Sequence, residues 1–100
     1  MHDYLNSKGK GLQPSAVVTG GNRGIGLNIT EAFVKEGYLV VVGSRHDDGL
    51  TDRFGQQVVF EAMDVRDEDS HQKLVELAIQ HSGHLDVYVN NAGFSSWRSI

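Results

Sequence analysis

The sequence predicts an α/β fold in which helices cover both faces of a doubly wound parallel sheet with strand order 3-2-1-4. Four short apolar segments alternate with helical or polar stretches, and the first two segments are almost continuous runs of apolar, mostly β-branched residues. Such runs are typical of strands buried on both faces. Connections of helix length between buried strands indicate parallel pairing with right-handed crossovers. A chain of 100 residues suits one domain with one core.

The four predicted strands span residues 15–19, 39–43, 57–63 and 85–89. Between the first two, residues 24–36 are predicted to form a helix, and Gly37 follows as a left-handed C-cap. Its apolar face is expected to carry Ile25, Ile29, Ala32 and Phe33, because these residues recur at helical spacing. A polar turn over 44–48 and a short helix within 48–54 are expected before the third strand.

The second long helix is predicted to begin in the polar, acidic segment 64–70 and to end at Gly83. One face of this helix is expected to carry Leu74, Leu77, Ala78 and His81. Three acidic residues stand near its start, namely Asp67, Glu68 and Asp69. Because negative charge there meets the positive end of the helix dipole, we interpret them as helix-start residues and not as metal ligands.

Composition excludes several classes of protein. The formal net charge of −4 argues against a nucleic-acid binder, which needs a basic surface. The sequence has no cysteine, which excludes a disulfide scaffold and thiolate chemistry, and no apolar run approaches the roughly 20 residues that cross a bilayer.

We interpret residues 1–14 as a flexible N-terminal arm and residues 15–100 as the folded segment. The polar start is unlike a secretory signal, so we expect a cytoplasmic protein without a membrane partner.

A glycine-rich loop, Gly20-Gly21-Asn22-Arg23-Gly24-Ile25-Gly26, follows the first strand and opens the first helix. A pyrophosphate needs close backbone approach and free N–H donors, and side chains at Gly20, Gly24 and Gly26 would block that approach or the tight turn. The first N–H groups of a helix lack internal partners, and the helix dipole favours an anion there. The alternative is a glycine-rich turn that only packs the helix on the strand.

Three motifs resemble those of the short-chain dehydrogenases/reductases, a family with a Rossmann-like fold. The segment from Thr19 to Gly26 is similar to the family's Thr-Gly-x-x-x-Gly-x-Gly loop. Met63-Asp64-Val65 resembles the Asp-Val pair after the third strand, and Asn90-Asn91-Ala92-Gly93 matches the Asn-Asn-Ala-Gly motif after the fourth. The motifs occur in the family's order, and the resemblance covers residues 15–93. It implies that residues 15–100 are an incomplete dinucleotide-binding domain.

The resemblance also implies roles for individual residues. The loop would cradle the cofactor phosphates with Gly20, Gly21, Asn22, Arg23, Gly24, Ile25 and Gly26. Asp64 would accept a hydrogen bond from the adenine amino group, with Val65 packed beside the ring. Asn91, Ala92 and Gly93 would line the adenosine ribose, and the asparagines would tie neighbouring strands together.

The end of the second strand predicts which nicotinamide cofactor is used. An acidic residue there would bind both ribose hydroxyls of NAD. The sequence instead has Ser44 followed by Arg45, and Arg23 lies in the glycine loop. A serine and two guanidinium groups would donate to a 2′-phosphate, which predicts NADP(H). The competing interpretation makes Asp47 or Asp48 the ribose ligand and NAD the cofactor.

The resemblance implies hydride transfer between the nicotinamide and a small-molecule carbonyl or alcohol substrate. That reaction needs a tyrosine with a lysine four positions later, and Tyr4–Lys8, in the predicted arm, is the one pair with this spacing. We therefore assign no catalytic residue and expect the chain to be the amino-terminal, cofactor-binding part of a larger enzyme that forms homo-oligomers. A non-catalytic NADP(H)-binding module and a fold that has lost its ligand are the alternatives. His81 and His84 could pair on a metal, but helix-end or surface roles are favoured.

Overall fold

The computed structural model describes residues 13–91. They form a four-stranded parallel sheet with strand order β3-β2-β1-β4, which confirms the predicted fold class and order. The strands are β1 (Ser15–Thr19), β2 (Leu39–Ser44), β3 (Val58–Ala62) and β4 (Val87–Asn90). The helices are α1 (Gly24–Lys35), α2 (Leu50–Phe54) and α3 (Glu68–Ser82), and a 3₁₀ turn covers Gly55–Gln57. Most of the predicted arm, residues 1–12, lies outside the described residues.

The core has two layers because successive side chains of a strand point to opposite faces of the sheet. On one face, α3 packs its Leu74 and Ala78 against Val17, Val41 and Met63. On the other face, α1 and α2 cover a cluster of buried residues made of Val18, Val40, Val42, Leu50 and Val58. Strands β1 and β2 are buried along their whole length, as their continuous apolar sequences predict.

The buried face of α1 differs from the predicted one. Ile25 is 68% exposed and Ala32 is also exposed, whereas Gly26 and Thr30 are buried. Ile29 and Phe33 pack against the core as expected. Gly26 faces inward because the absence of a side chain permits close approach of the helix to the carbonyl of Gly20 and the amide of Asn91. A hydropathy pattern does not recognise glycine and threonine as core residues, which explains the error.

The end of α3 shows a similar difference. His81 is exposed, and Ser82 takes the buried position one turn after Ala78. The Ser82 hydroxyl donates a hydrogen bond to the backbone carbonyl of Gln13, which satisfies the buried polar group. Gly83, at φ 91°, ends the helix as predicted.

Candidate cofactor-binding site

The glycine loop turns sharply between β1 and α1. Gly20 and Gly24 have φ values of +67° and +60°, a region that side-chain-bearing residues rarely adopt. The Gly20 N–H donates to the carbonyl of Gly43 at 2.7 Å, which fixes the loop on the end of β2. Arg23 is the N-cap residue of α1, and its side chain makes no capping hydrogen bond. With no acidic residue in its first turn, α1 offers N–H groups and a positive dipole end to an anion.

Two glycines of the loop lie against other parts of the protein. A Cβ added to Gly26 would lie 2.0 Å from the carbonyl oxygen of Gly20, so this contact between α1 and the loop requires glycine. A Cβ on Gly21 would lie 2.5 Å from the hydroxyl oxygen of Thr30. Thr30 is fully buried and donates from that hydroxyl to the Gly21 carbonyl at 3.1 Å. The first turns of α1 thus hold the loop in shape.

The end of β4 is bonded to the end of β1 and to the glycine loop. The Thr19 hydroxyl donates to Oδ1 of Asn90 at 3.0 Å. The Nδ2 amide of Asn91 donates to the carbonyl of Gly20 at 3.3 Å. These bonds confirm that the asparagines tie neighbouring segments together. Ala92 and Gly93, the last two predicted site residues, lie outside the described residues.

A cavity of about 250 Å³ lies at the carboxyl edge of the sheet. It is lined by Gly20, Ser44, Arg45, Met63 and Val65, which follow or end three different strands. Four of these five were named from the sequence as cofactor-binding residues. Met63 was not, although it directly precedes the Asp-Val pair. In a parallel sheet the carboxyl ends of neighbouring strands share one edge, and a crevice at that edge is where open α/β folds bind ligands.

Asp64, at the same edge of the sheet, is paired with Arg66. The Arg66 backbone N–H donates to Oδ1 of Asp64 at 2.9 Å, and its guanidinium donates to both carboxylate oxygens. These hydrogen bonds, with a smaller contribution from the charges of Arg66 and Arg45, hold the pKa of Asp64 well below its ordinary value. The carboxylate is therefore a permanently charged acceptor at neutral pH.

The two polar residues of the glycine loop contact the loop after β2. The Nδ2 amide of Asn22 donates to Oδ2 of Asp48 at 2.6 Å, and Arg23 Nη2 donates to the same oxygen at 3.1 Å. Sequence reasoning placed Arg23 and Arg45 together on one phosphate. In the structure Arg45 lines the cavity, whereas Arg23 is paired with Asp48.

His71 of α3 lies near the site and bonds to two neighbouring segments. Its Nε2 donates to the Val65 carbonyl at 2.8 Å, because a carbonyl oxygen can only accept, and its Nδ1 bonds to the Tyr88 hydroxyl. The ring thus connects the loop after β3 with β4. No sequence signal marks this bond, since Val65 takes part through its backbone. Within residues 13–91, no three His, Cys, Asp or Glu side chains are grouped as metal ligands would be.

Comparison with known proteins gives the family. The model of the short chain dehydrogenase family matches residues 14–100. The chain belongs to this family. It is 45% identical over 82 residues to the sex determination protein tasselseed-2 of Zea mays, and 42% identical over 89 residues to glucose 1-dehydrogenase 2 of Bacillus subtilis. These alignments cover 78% and 81% of the chain.

A solved structure of actinorhodin polyketide ketoreductase with NADPH matches the short chain dehydrogenase fold seen here with a TM-score of 0.67 and 33% identity. The match covers 78% of this chain and 32% of that one. The chain spans 24% of the length of tasselseed-2 and 34% of that of glucose 1-dehydrogenase 2. Among the helices of residues 13–91, none is both long and apolar enough to cross a membrane.

Proposed function

We propose that the chain is the NADP(H)-binding part of a short-chain dehydrogenase/reductase, an oxidoreductase that acts on a small carbonyl or alcohol substrate. The observation that carries this proposal is the cavity at the sheet edge. It brings together Gly20, Arg45 and Val65 from segments far apart in sequence. No acidic residue is among the described residues that line it.

The proposed roles follow the position of each residue. The backbone of Gly20–Gly26 and the N-terminus of α1 bind the pyrophosphate, because an uncapped helix start supplies N–H donors and a positive dipole end. Asp64 accepts from the adenine amino group, and Val65 packs against the ring. Asn91, with Ala92 and Gly93, lines the adenosine ribose.

The choice of NADP(H) over NAD(H) rests on Ser44 and Arg45 at the end of β2. Arg45 lines the cavity, and its guanidinium would stabilise a 2′-phosphate by charge-assisted hydrogen bonds. The two carboxylates that could bind a ribose diol instead are both engaged elsewhere. Asp47 accepts from the backbone and side chain of Thr51 and from the N–H of Leu50, and Asp48 accepts from the glycine loop. The NADPH in the actinorhodin ketoreductase structure supports the same choice.

A bound nicotinamide would supply a hydride donor or acceptor at its ring C4. The described residues of this chain bind and orient the adenosine and phosphate groups. Neither Tyr38 nor Tyr88 has a lysine four positions later, where the chain has Val42 and Ala92. Tyr38 packs against Phe33 with ring centroids 4.8 Å apart, so its role is in the core. Among residues 13–91, we accordingly assign binding roles and no acid or base catalyst.

Titration of the full chain with two adenosine nucleotides tests the proposal. Adenosine 2′,5′-bisphosphate carries the additional phosphate of NADP, and AMP lacks it. We expect tighter binding of the bisphosphate by isothermal titration calorimetry. Arg45→Ala should weaken the bisphosphate about tenfold or more and change AMP by less than about twofold, since a charge-assisted hydrogen bond contributes about 1.5–3 kcal/mol.

Arg53→Ala is the matched control, because Arg53 is also an exposed arginine but pairs with Glu31 of α1 and does not line the cavity. It should leave both affinities unchanged. Equal weakening of the two nucleotides by Arg45→Ala would contradict contact with the 2′-phosphate. Tighter binding of AMP than of the bisphosphate by the unaltered chain would contradict the assignment of NADP(H).

A further inference from the structure

The contact between Asp48 and the glycine loop joins two segments that both face the proposed nucleotide. Asp48 lies in the connection between β2 and α2, and Arg23 is the N-cap residue of α1. One carboxylate oxygen, Oδ2 of Asp48, accepts from Asn22 at 2.6 Å and from Arg23 at 3.1 Å. The Arg23 side chain is 72% exposed, so the guanidinium can exchange this partner for another anion without disturbing the core.

The backbone at Asp48 has an uncommon conformation. Asp48 has φ +54°, and among residues 13–91 it is the one non-glycine residue with positive φ. Aspartate tolerates this conformation better than most residues but at some cost in energy. Hydrogen bonds from Asn22 and Arg23 also lower the pKa of Asp48 below its ordinary value. The carboxylate is therefore ionised at neutral pH and presents a full negative charge to Arg23.

Asp47, the preceding residue, provides an internal comparison. Its Oδ1 accepts from the N–H of Leu50 at 2.7 Å and its Oδ2 from the hydroxyl of Thr51 at 2.9 Å. Asp47 thus stabilises the start of α2, and its neighbour Asp48 faces the glycine loop. Two carboxylates with the same charge and adjacent positions have different partners.

We propose that Asp48 is a specificity-determining counterion, which holds Arg23 in the unliganded protein and gives it up to the 2′-phosphate of the dinucleotide. This inference rests on the proposed binding of NADP(H). The ion pair between Arg23 and Asp48 must break before Arg23 can bind the phosphate, and this cost reduces the affinity gained from the new contact. Asp48 therefore lowers the affinity for a 2′-phosphorylated nucleotide and leaves the affinity for its unphosphorylated counterpart unchanged.

Asp48→Asn in the full chain tests the inference. Asparagine, like aspartate, tolerates positive φ and can still accept from Asn22, so the variant should fold, which circular dichroism and thermal unfolding will check. We expect adenosine 2′,5′-bisphosphate to bind about three- to fivefold more tightly, the range that an exposed ion pair supports, and AMP to change by less than about twofold. Asp47→Asn removes the same charge one residue earlier and should leave the ratio of the two affinities unchanged.

A double-mutant cycle separates this inference from the proposed function. In an Arg23→Ala background, Asp48→Asn should produce no gain, because the ion pair is already absent. The counterion role is overturned if Asp48→Asn still tightens bisphosphate binding in the Arg23→Ala background, or if Asp47→Asn tightens it equally. It is also overturned if the unaltered chain prefers the bisphosphate to AMP but Asp48→Asn leaves the ratio of these two affinities unchanged. An unaltered chain without that preference, or without affinity for either nucleotide, overturns both the proposed function and this inference.

Discussion

Two helices of this protein begin at the same edge of the sheet but have opposite surroundings. Helix α3 starts with Asp67 as its N-cap, whose side chain accepts from the Asp69 N–H at 3.0 Å, and Glu68 and Asp69 occupy its first turn. Helix α1 starts after Arg23, with no capping hydrogen bond from the side chain and no acid in the first turn. The partial positive charge at the start of α3 is balanced by acidic residues of the helix itself, whereas the start of α1 has no such residue and can interact with an external anion.

The loops before the two helices also differ in whether their charged residues pair within the loop or with a distant segment. Asp64, before α3, is bonded to Arg66 two residues later, so charge is balanced within one short segment. The loop before α1 has its glycines at positions of close approach, and its arginine pairs with a residue 25 positions away. The start of α3 is therefore stabilised by its own side chains, whereas the start of α1 is the one that we propose for the pyrophosphate. Variants that exchange or remove these features test that distinction.

The largest effect is expected from Gly26→Ala. The added methyl group would lie 2.0 Å from the Gly20 carbonyl oxygen, which is backbone and cannot move without opening the loop. Overpacking costs about 1–3 kcal/mol, and we expect a loss in the free energy of unfolding at the upper end of this range. Binding of adenosine 2′,5′-bisphosphate should be abolished. Urea unfolding and calorimetry measure the two effects.

Gly43→Ala is the control for Gly26→Ala. Its methyl group would lie 2.6 Å from Cδ1 of Leu74 and 2.9 Å from Cγ of Met63, and side chains can rearrange where backbone cannot. The loss in stability should be smaller, and nucleotide binding should be retained. If Gly43→Ala abolished binding as fully as Gly26→Ala, the special requirement at the start of α1 would be refuted.

A smaller, purely structural effect is expected from Asp67→Ala at the start of α3. Removal of an N-cap side chain costs about 0.5–2 kcal/mol, because the N–H of Asp69 loses its partner. The affinity for the bisphosphate should not change. Asp67→Asn keeps the acceptor and should lose little of the stability. Weaker nucleotide binding by Asp67→Ala would show that α3 also contributes to the site.

Two variants at Arg23 test whether a side-chain N-cap, such as α3 has, would compete with a phosphate at the start of α1. Arg23→Ser and Arg23→Ala remove the same charge, but only serine supplies an N-cap acceptor. The backbone of Arg23 is extended, as an N-cap requires, so the serine variant should be more stable than the alanine variant by about 1 kcal/mol. Because the serine competes for the N–H groups of α1, it should bind AMP more weakly than the alanine variant does. Equal affinity of the two variants would argue against a phosphate at this helix start.

The smallest effect concerns the pH dependence of the Asp64–Arg66 pair. Hydrogen bonds from Arg66 depress the pKa of Asp64 in the folded protein below its ordinary value of 3.8. A depressed pKa of a carboxyl group adds stability above the unfolded pKa, and this contribution is lost as pH falls toward the folded pKa. Asp64→Asn should therefore lower the melting temperature slightly at neutral pH. The difference from the unaltered chain should shrink as pH falls below 3.8. A difference that is constant over this range would argue against the pair.

The four strands and the position of the glycine loop could be predicted from the amino-acid sequence, and the strand order followed from the right-handed crossover rule. Continuous apolar runs define β1 and β2, and the spacing of Gly20, Gly24 and Gly26 marks the turn before α1. These signals are local, since a strand's hydrophobicity or a glycine's backbone freedom is a property of the residue itself. The helix-start role of Asp67 was predicted for the same reason.

Which side chains lie together at the sheet edge depends on the packed structure and could not be predicted from the sequence. Arg23 contacts Asp48 across 25 residues of chain, and Thr30 is buried although the apolar pattern of α1 does not include it. The cavity forms because three strands end side by side, which places Arg45 next to Val65. Pairings of this kind depend on distances in space and on competition among several partners. The sequence pattern indicates which residues are able to interact, but the packing of the helices on the sheet determines which of them are in contact.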